Sequence, residues 1–446
     1  MLSALESHLP GQPGHALLLG DVAKIEPLLR ARGWTVTRGT AERDFGVAPK
    51  SCDLVVARNA LAREPWPHWH LQRMHRVLEP GGLLALDEPH ALDLSTPGGI
   101  AYLAGRAVRQ VARWLGVALT PAPRRFRLTL LGAALARLRF ATDVLDLERR
   151  GGWAALLPRR YAPRLIAITR TLPPLADTPV RAEEHRAHYQ AEQPAMLETR
   201  RRWIAAHPGW VAANVAEFDP AAYAGRNALV LAPHPDDEVI GAGGAMLKLV
   251  RAGAQVACIQ ATDGSDSAAF AGRPERERRT LRLEEAARVA CAIGGVALEC
   301  WKADNRGFRA DPELVARLAA RLDRDRPALV FAPFVTEAHA DHLTLVRILA
   351  HALEALTPPL DATVLSYEVW SLVPPSQAHD ITPLLGELED LLFTYETAMK
   401  VDDFVHFCAD RALYHGLTVR GEPRWLEAFH AIAARDYPAL ARTVPA

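Results

Sequence analysis

The stretch Asn227-Ala-Leu-Val-Leu-Ala232 leads without a break into Pro233-His234-Pro235-Asp236-Asp237-Glu238. The first half is apolar throughout and predicts a buried strand. Residues 239–250 predict the helix that follows, and their early glycines would let this helix pack closely on a sheet. Ligands bind at the carboxyl ends of strands in open α/β sheets. One imidazole and three carboxylates therefore stand where such a fold places its site.

Two interpretations of this polar run are open. His234 and Asp237 are three residues apart, so both can face one point if the first helical turn begins near Pro235. A divalent metal of the zinc type binds such a pair of histidine and carboxylate, with further ligands from elsewhere. Alternatively, the acids only favour the positive end of a helix, and His234 is a polar loop residue.

A second run of the same kind lies about a hundred residues further on. Ala328-Leu-Val-Phe-Ala332 predicts another buried strand, and residues 343–356 predict another helix. Between them stands Glu337-Ala-His339-Ala-Asp341-His342. Two strand ends thus carry histidine and aspartate, which favours a shared site over an ordinary solvated helix start.

The two runs together supply a complete set of metal ligands. His234, Asp237 and His342 would form a three-ligand site with an open position for water, as in catalytic zinc centres. Asp236 is then left free to act as a base.

The order His-Pro-Asp-Asp-Glu at 234–238 and His-x-Asp-His at 339–342 resembles the LmbE-like (PIG-L type) zinc-dependent de-N-acetylases of amino sugars. The resemblance covers residues 223–429, less than half of the chain. Weaker elements follow the family order, namely Thr262-Asp-Gly264, Arg282 to Glu285, Ser366 to Trp370 and Glu427 to Phe429.

This resemblance implies a Rossmann-like sheet that holds zinc, or another divalent metal, on His234, Asp237 and His342. It implies that Asp236 is the general base that takes a proton from the attacking water. Because zinc polarises a carbonyl and acidifies water, one carboxylate can also relay the proton to the departing amine.

The resemblance also implies roles for four further residues. His339 would stabilise the oxyanion that forms at the acetamide carbonyl, and Asp341 would orient or charge-tune a neighbouring histidine. Asp304 and Arg282 would bind the substrate; the alternatives are a loop cap for Asp304 and an exposed helix charge for Arg282. Some members carry tyrosine where this chain has Glu337, which puts any tyrosine role there in doubt.

The first 170 residues alternate between short apolar strands and helical segments. This alternation indicates a parallel, doubly wound sheet. The predicted strands are residues 15–20, 34–37, 52–57 and 83–87, with 140–147 and 165–169 as closing strands, and the predicted helices are 25–32 and 71–78, the latter stopped by a turn at 79–82.

Asp53-Leu-Val-Val-Ala57, followed by the turn Leu78-Glu-Pro-Gly-Gly82, resembles class I S-adenosylmethionine-dependent methyltransferases over residues 14–170. Two features depart from that family. Leu19-Gly20-Asp21-Val22-Ala23 offers a single glycine, so its backbone cannot easily approach a cofactor. Thr37-Arg38-Gly39 supplies no acid at the tip of the second strand.

We therefore expect a degenerate domain that does not methylate and does not bind S-adenosylmethionine. Asp21 is expected to cap the helix that follows it. The domain would serve as a docking or substrate-presenting module.

The predicted architecture is α/β, with two Rossmann-like domains, each a mostly parallel sheet flanked by helices. Residues 1–172 would form the methyltransferase-like domain and residues 223–446 the deacetylase-like domain. Residues 173–222 read as a proline-rich linker and a helical connector.

Composition is that of a soluble globular enzyme. Lys plus Arg and Asp plus Glu both number 52 among 446 residues, so no net field attracts nucleic acid or anionic lipid. The cysteines are scattered and predict free, buried thiols of a reducing compartment. No signal peptide or membrane span is evident, although the apolar stretch 128–138 leaves a peripheral membrane contact open. We expect a cytoplasmic protein.

The expected function is hydrolysis of an N-acetyl group on an amino sugar that is either a small molecule or linked to lipid or nucleotide. The alternatives are an amidase for a larger acyl group and a non-catalytic carbohydrate-binding or scaffold protein. Trp301 and Trp370 would either stack on a sugar or belong to the core.

Overall fold

The chain divides into two compact units, Met1–Asp177 and Thr178–Ala446. The computed structural model describes residues 5–40, 45–64, 67–89, 131, 134–135, 138, 140–148, 164–171, 215–270, 273–303, 308–401, 404–421 and 424–443. Most of the predicted linker and connector, residues 173–214, lies outside the described residues.

The first unit contains a six-stranded sheet of order β2-β1-β3-β4-β6-β5. Strands β1 to β4 are mutually parallel where they pair, whereas β6 is antiparallel to both β4 and β5. The elements are β1 His15–Gly20, α1 Glu26–Ala31, β2 Thr35–Arg38, β3 Cys52–Arg58, α2 Ala60–Arg63, α3 Pro67–Val77, β4 Leu78–Pro89, β5 Phe140–Glu148 and β6 Arg164–Thr171.

Both faces of this sheet carry an apolar core. Along β1, Leu17 packs into one cluster and Leu18 into the other, and Val55 and Val56 of β3 alternate in the same way. Near-continuous apolar strands of this kind are typical of parallel sheets that are covered on both sides.

Two predicted boundaries in this unit are wrong, and one of them is the start of the helix predicted at 71–78, which begins at Pro67. The strand predicted at 83–87 begins at Leu78 and includes the predicted turn. Pairing is irregular there, since Cys52 pairs with Leu78 but Leu54 with Leu83, and Gly81 has a φ of 82°. The extra residues bulge out of the ladder, so the chain enters the strand earlier than its turn residues indicate.

The second unit contains an eight-stranded sheet of order β10-β9-β8-β11-β12-β14-β13-β7. Strands β10, β9, β8, β11 and β12 are parallel, and β14 runs antiparallel to β12 and β13. The strands are β7 Ala216–Glu217, β8 Asn227–Ala232, β9 Gln255–Thr262, β10 Ala297–Ala303, β11 Leu329–Pro333, β12 Thr363–Tyr367, β13 Gln377–Asp380 and β14 Leu426–Ala433.

Helices flank this sheet. They are α4 Asp237–Arg251, α5 Glu275–Ile293, α6 Pro312–Asp325, α7 Ala340–Glu354, α8 Leu385–Thr394, α9 Glu396–Val401, α10 Phe404–His415 and α11 Tyr437–Ala441. The predicted α/β class with two Rossmann-like, mostly parallel sheets is confirmed.

Helix α4 lies unusually close to the sheet because of its glycines. A Cβ atom on Gly241 would stand 2.1 Å from the ring of Tyr367, which is fully buried at the end of β12. The hydroxyl of Tyr367 donates to the carbonyl oxygen of Leu231 at 2.8 Å. This close packing fixes the start of α4 relative to the ends of β8 and β12.

All five cysteines are free. Cys258 is buried as expected, but Cys291 is exposed. The apolar pattern around it was misleading, because α5 buries Val289, Ala290 and Ile293 and turns Cys291 outward. Within the described part of the chain, no helix has the length and apolar character needed to cross a membrane.

Candidate functional site

The two sequence motifs meet at one edge of the second sheet. Strand β8 pairs with β11 in parallel, so both strands end on the same side. The loop after β8 carries His234, and the loop after β11 carries His339 and leads into α7 with His342. The ring of His234 lies 4.8 Å from that of His339 and 5.4 Å from that of His342, measured between centroids.

One carboxylate oxygen lies at the centre of the predicted ligand set. Oδ2 of Asp237 is 3.0 Å from Nδ1 of His234 and 3.3 Å from Nε2 of His342. The same oxygen accepts the backbone N–H of His234 at 2.9 Å. The three residues predicted as metal ligands therefore converge within hydrogen-bonding range of one another.

His234 and His342 each contact a second carboxylate through the ring nitrogen that does not face Asp237. Nε2 of His234 lies 2.9 Å from Oδ2 of Asp341, and Nδ1 of His342 lies 3.0 Å from Oε2 of Glu337. Carboxylates in this position fix the tautomer and the orientation of a metal-binding imidazole. The contact of Asp341 is of the orienting kind that the resemblance implies.

The electrostatics of this cluster favour a cation. Burial alone lowers the pKa of a histidine, but hydrogen bonds to Asp237 and Asp341 raise the pKa of His234 to about 9. For His342, the carboxylates of Asp237 and Glu337 outweigh burial and raise the pKa to about 10. Burial would raise the pKa of Asp237, yet the two histidines hold it well below its usual range. The carboxylates thus create a demand for positive charge, which either protons or a metal can meet.

Two separations within the donor set agree with the spacing of ligands around zinc. Ligand atoms about 2.0–2.2 Å from a tetrahedral zinc ion lie about 3.3 Å apart, close to the separations around Asp237 Oδ2. Nε2 of His342 is buried and lies 3.3 Å from Asp237 Oδ2, but it makes no hydrogen bond of good geometry with the described residues. A buried nitrogen of this kind is costly unless something occupies it.

His339 offers a second ligand set. The ring nitrogens of His234, His339 and His342 lie within 4.8 Å of one another. His339, however, is the exposed member, and its Nδ1 accepts the backbone N–H of Asp341 at 3.2 Å as the cap of α7. Two ligand sets therefore share His234 and His342 and differ in whether Asp237 or His339 completes them.

Asp236, the predicted base, lies directly beside this cluster. Its backbone N–H donates to Oε2 of Glu238 at 3.1 Å, and its Oδ2 accepts from Arg282 Nη2 at 3.2 Å. Burial raises the pKa of Asp236 to about 6, against the opposing charge of Arg282. A carboxylate that titrates near neutrality is suited to proton transfer.

The predicted substrate residues differ in their outcome. Arg282 is only 3% exposed, so the alternative of an exposed helix charge is wrong. Its guanidinium donates to the carbonyl of Pro235 and to Thr397 Oγ1 as well as to Asp236. These contacts are those of a residue that supports Asp236. Asp304 lies outside the described residues.

Two supports of the site, Glu238 and Glu337, had no role predicted from the sequence. Glu238 is buried and accepts from the hydroxyl of Tyr395, and burial raises the pKa of Glu238 to about 7. Glu337 contacts both His342 and the backbone of residues 369–371. The position of Glu337 just before the second motif is visible in the sequence. Its contacts with residues 369–371 could not be read from the sequence.

The edge of the first sheet has a different character. A Cβ atom on Gly20 would stand 2.1 Å from the carbonyl oxygen of Arg58, so the backbone after β1 lies against this chain rather than open to a ligand. The N–H of Asp21 donates to that same oxygen at 2.9 Å, and its carboxylate accepts from Asn59 Nδ2 at 2.6 Å. Asp21 is therefore not the helix cap that we predicted; α1 begins only at Glu26.

The carboxylates near this edge are already paired. Asp87 at the end of β4 binds Arg164 through Nε at 2.6 Å and Arg58 through Nε at 3.0 Å. Glu26, beside the end of β2, pairs with Arg30 and Arg38. The described residues of this edge therefore do not fit S-adenosylmethionine, which needs an open backbone turn and a free acid for its ribose.

Comparison with known proteins finds similar sequences for part of the second unit. The GlcNAc-PI de-N-acetylase (PIG-L) family matches residues 229–353. Diacetylchitobiose deacetylase of Thermococcus kodakarensis is 29% identical over 120 residues, which cover 26% of this chain and 45% of that protein. The chain thus spans less than half the length of this curated relative.

Two solved structures match parts of this chain. N,N'-diacetylchitobiose deacetylase from Pyrococcus horikoshii has a TM-score of 0.42 and 21% identity, over 48% of this chain and 85% of that chain. A SAM-dependent methyltransferase from Methanosarcina mazei has a TM-score of 0.29 and 14% identity, over 38% of this chain and 97% of that chain.

Proposed function

We propose that this chain, whose residues 229–353 form a PIG-L/LmbE-like domain, is a metal-dependent hydrolase that removes the acetyl group from an N-acetylated amino sugar. The observation that carries the proposal is the convergence of His234 and His342 on Asp237 Oδ2, with Asp236 beside them. The sequence relationship to a diacetylchitobiose deacetylase supports the choice of an N-acetylated sugar.

His234, Asp237 and His342 would hold the metal, with zinc favoured by the nitrogen and carboxylate donors. A bound zinc ion supplies Lewis acidity, which polarises the acetamide carbonyl and makes water a better acid. Asp341 contacts the imidazole of His234 and Glu337 that of His342, so each carboxylate would orient one metal-binding ring.

The proton transfers fall to Asp236. Its carboxylate takes a proton from the attacking water and returns it to the nitrogen of the departing amine, so one group serves as base and then as acid. Arg282 and Glu238 hold Asp236 in place through the contacts described above. His339, exposed at the start of α7, would donate a hydrogen bond to the carbonyl oxygen as negative charge develops there.

A non-catalytic carbohydrate-binding protein would not need this donor set. Three carboxylates, those of Asp237, Asp341 and Glu337, surround one buried and one half-buried imidazole, and this excess of acids favours a bound cation. An amidase for a larger acyl group would use the same residues, and only the substrate separates it from a deacetylase.

The test combines metal content with acetate release. Protein purified without chelators should contain about one divalent metal per chain and release acetate from members of a panel of N-acetylated amino sugars. His342→Ala should lose both. His351→Ala is the matched control, because His351 lies on the same helix and is exposed. Full activity of His342→Ala, or no acetate release by the metal-loaded protein from the whole panel, would exclude the proposal. Release of a longer acid from N-acyl analogues of the same sugars, without acetate release from the panel, would favour the amidase.

A further inference from the structure

An apolar surface lies in the second unit close to the histidine cluster. Among the described residues, five large apolar side chains are 42% to 52% exposed. All of them lie between positions 370 and 417, namely Trp370, Leu372, Val401, Tyr414 and Leu417. Single exposed apolar residues are common on soluble proteins, whereas a contiguous exposed apolar patch usually marks a binding surface.

The centre of this surface is aromatic. The ring centroid of Trp370 lies 5.6 Å from that of Phe404 and 6.0 Å from that of Phe407. On α10, Phe407, Arg411 and Tyr414 are spaced by four and three residues and so share one face. We call Trp370, Phe407 and Tyr414 the aromatic patch.

Among the described residues, the cation at the centre of the aromatic patch is already paired. The guanidinium of Arg411 lies over the ring of Phe407 at 5.5 Å. It also donates to the carbonyls of Glu368 and Ile240 and pairs with the carboxylate of Glu368 at 3.2 Å. Arg411 is therefore not available to an anionic headgroup or phosphate, which favours an uncharged ligand.

A single side chain connects Trp370 to the candidate metal ligands. Oε1 of Glu337 accepts the backbone N–H groups of Val369 at 2.8 Å and Trp370 at 3.1 Å. Oε2 of the same carboxylate contacts Nδ1 of His342. Glu337 is 3% exposed, so this connection is shielded from water and rigid. The backbone of Trp370 is thereby held one side chain away from the candidate ligand His342.

We propose that the aromatic patch binds an uncharged apolar aglycone of the substrate, an alkyl or acyl chain attached to the N-acetylated sugar, and that Trp370 determines this specificity. The inference rests on the proposed function and adds the class of substrate. A second sugar ring fits less well, because Phe404 and Phe407 already pack against Trp370 and the flanking Leu372 and Tyr414 extend the apolar area.

The kinetic test uses methyl, butyl and octyl glycosides of N-acetylglucosamine below their micelle concentrations. Burial of each methylene group raises kcat/KM by up to about fourfold, so the octyl glycoside should exceed the methyl glycoside by at least about tenfold on a surface that is open on one side. Trp370→Ala should lower this ratio to near one, and Trp370→Phe should keep most of it. Tyr223→Ala is the control, since Tyr223 precedes β8 at the end of the strand away from the site; its ratio should equal that of the wild type.

A binding measurement keeps the inference testable if acetate release fails. Calorimetry of the metal-loaded protein with octyl N-acetylglucosaminide needs no turnover, and Trp370→Ala should weaken binding at least about tenfold. Equal rates for all chain lengths together with binding that Trp370→Ala leaves unchanged would overturn the inference. So would binding to uncharged phosphatidylcholine vesicles that requires Trp370 without any dependence on chain length, because the surface would then contact a membrane instead. Chain-dependent binding without acetate release would support the aromatic patch and refute the deacetylase.

Discussion

Asp236 has a backbone conformation that residues with side chains rarely adopt, with φ of 119° and ψ of −33°. Such strain persists only where the surrounding structure holds it, and it is concentrated at functional sites. Here Arg282 and Glu238 hold the residue on both its carboxylate and its backbone N–H. With this backbone, the carboxylate of Asp236 contacts Arg282, whereas that of its neighbour Asp237 contacts His234.

Replacement of Asp236 by asparagine should separate chemistry from metal binding. Asp236→Asn keeps the size of the side chain and an acceptor for Arg282 but removes the proton acceptor. Acetate release should fall at least about a hundredfold, the usual scale of general acid–base catalysis, while metal content and thermal unfolding stay near wild type. Near wild-type turnover in a metal-replete protein would assign the proton transfer elsewhere, with Glu238 the first candidate.

The identity of the third ligand can be decided by metal analysis. Asp237→Ala should lose the metal, because Asp237 Oδ2 lies between the other two ligand atoms. His339→Ala should keep it, since His339 is exposed and acts as a helix cap. Elemental analysis and zinc equilibrium dialysis measure both. The reverse result would establish the three-imidazole set instead.

At the scale of elements, the packing of α4 against β12 sets the position of the first motif. Gly241→Ala should destabilise the protein by about 1–3 kcal/mol, because the new methyl group collides with the buried ring of Tyr367. Gly386→Ala on α8 is the matched control: nothing lies within 4 Å of its Cβ position, so the helix propensity of alanine should be neutral or stabilising by up to about 1 kcal/mol.

Urea unfolding of both glycine variants measures the difference. If Gly241→Ala were as stable as Gly386→Ala, α4 would have room to shift, and the close contact with Tyr367 would not position the motif.

At the scale of the whole molecule, the first unit has a Rossmann-like sheet, but its described residues do not form a site that fits S-adenosylmethionine. We predict that the full chain binds S-adenosylmethionine no more tightly than millimolar, because Arg58 and Arg164 already occupy Asp87. Titration calorimetry tests this. Micromolar binding would refute the assignment of the unit as degenerate and would return it to the methyltransferases.

The stability of the first unit should depend on pH through His70. Burial and the nearby Arg73 lower the pKa of His70 to about 3, and its ring packs edge-on against Phe45 at 5.0 Å. The unfolded chain takes up this proton near pH 6.5, whereas the folded chain does not until about pH 3. The contribution is therefore complete above pH 6.5 and is lost as the pH falls, at up to about 1.4 kcal/mol per pH unit.

His70→Gln removes the titrating group and should flatten this dependence between pH 7 and pH 4. The unfolding free energies of wild type and variant, measured at each pH, give the difference in slope. Parallel slopes would mean that His70 is protonated in the folded state.

Local patterns were sufficient for the secondary structure around the site. The apolar run at 227–232 and the glycines after it predicted β8 and α4, and α4 begins two residues before the predicted start at Val239. The predicted helix at 343–356 likewise begins three residues earlier, at Ala340. Strand and helix periods extend over a few residues, so a single sequence carries them.

Contacts between distant residues were decided by the tertiary structure. Arg282 reads as a helix surface residue, but the packing of α5 buries it against Asp236, 46 positions away. Glu337 meets Trp370 only because β11 and β12 are neighbours in the sheet. The sequence predicts Asp21 as a helix cap, but its carboxylate accepts a hydrogen bond from Asn59, which follows the neighbouring strand β3.

The sequence by itself determined the two α/β sheets and the residues at the ends of β8 and β11, because apolar periodicity and turn residues act locally. The tertiary structure decided which carboxylate faces which imidazole, that Asp236 is strained and supported, and that Trp370 is exposed beside the site. These depend on strand order and on burial, which arise only when segments far apart in the chain pack together and exclude water.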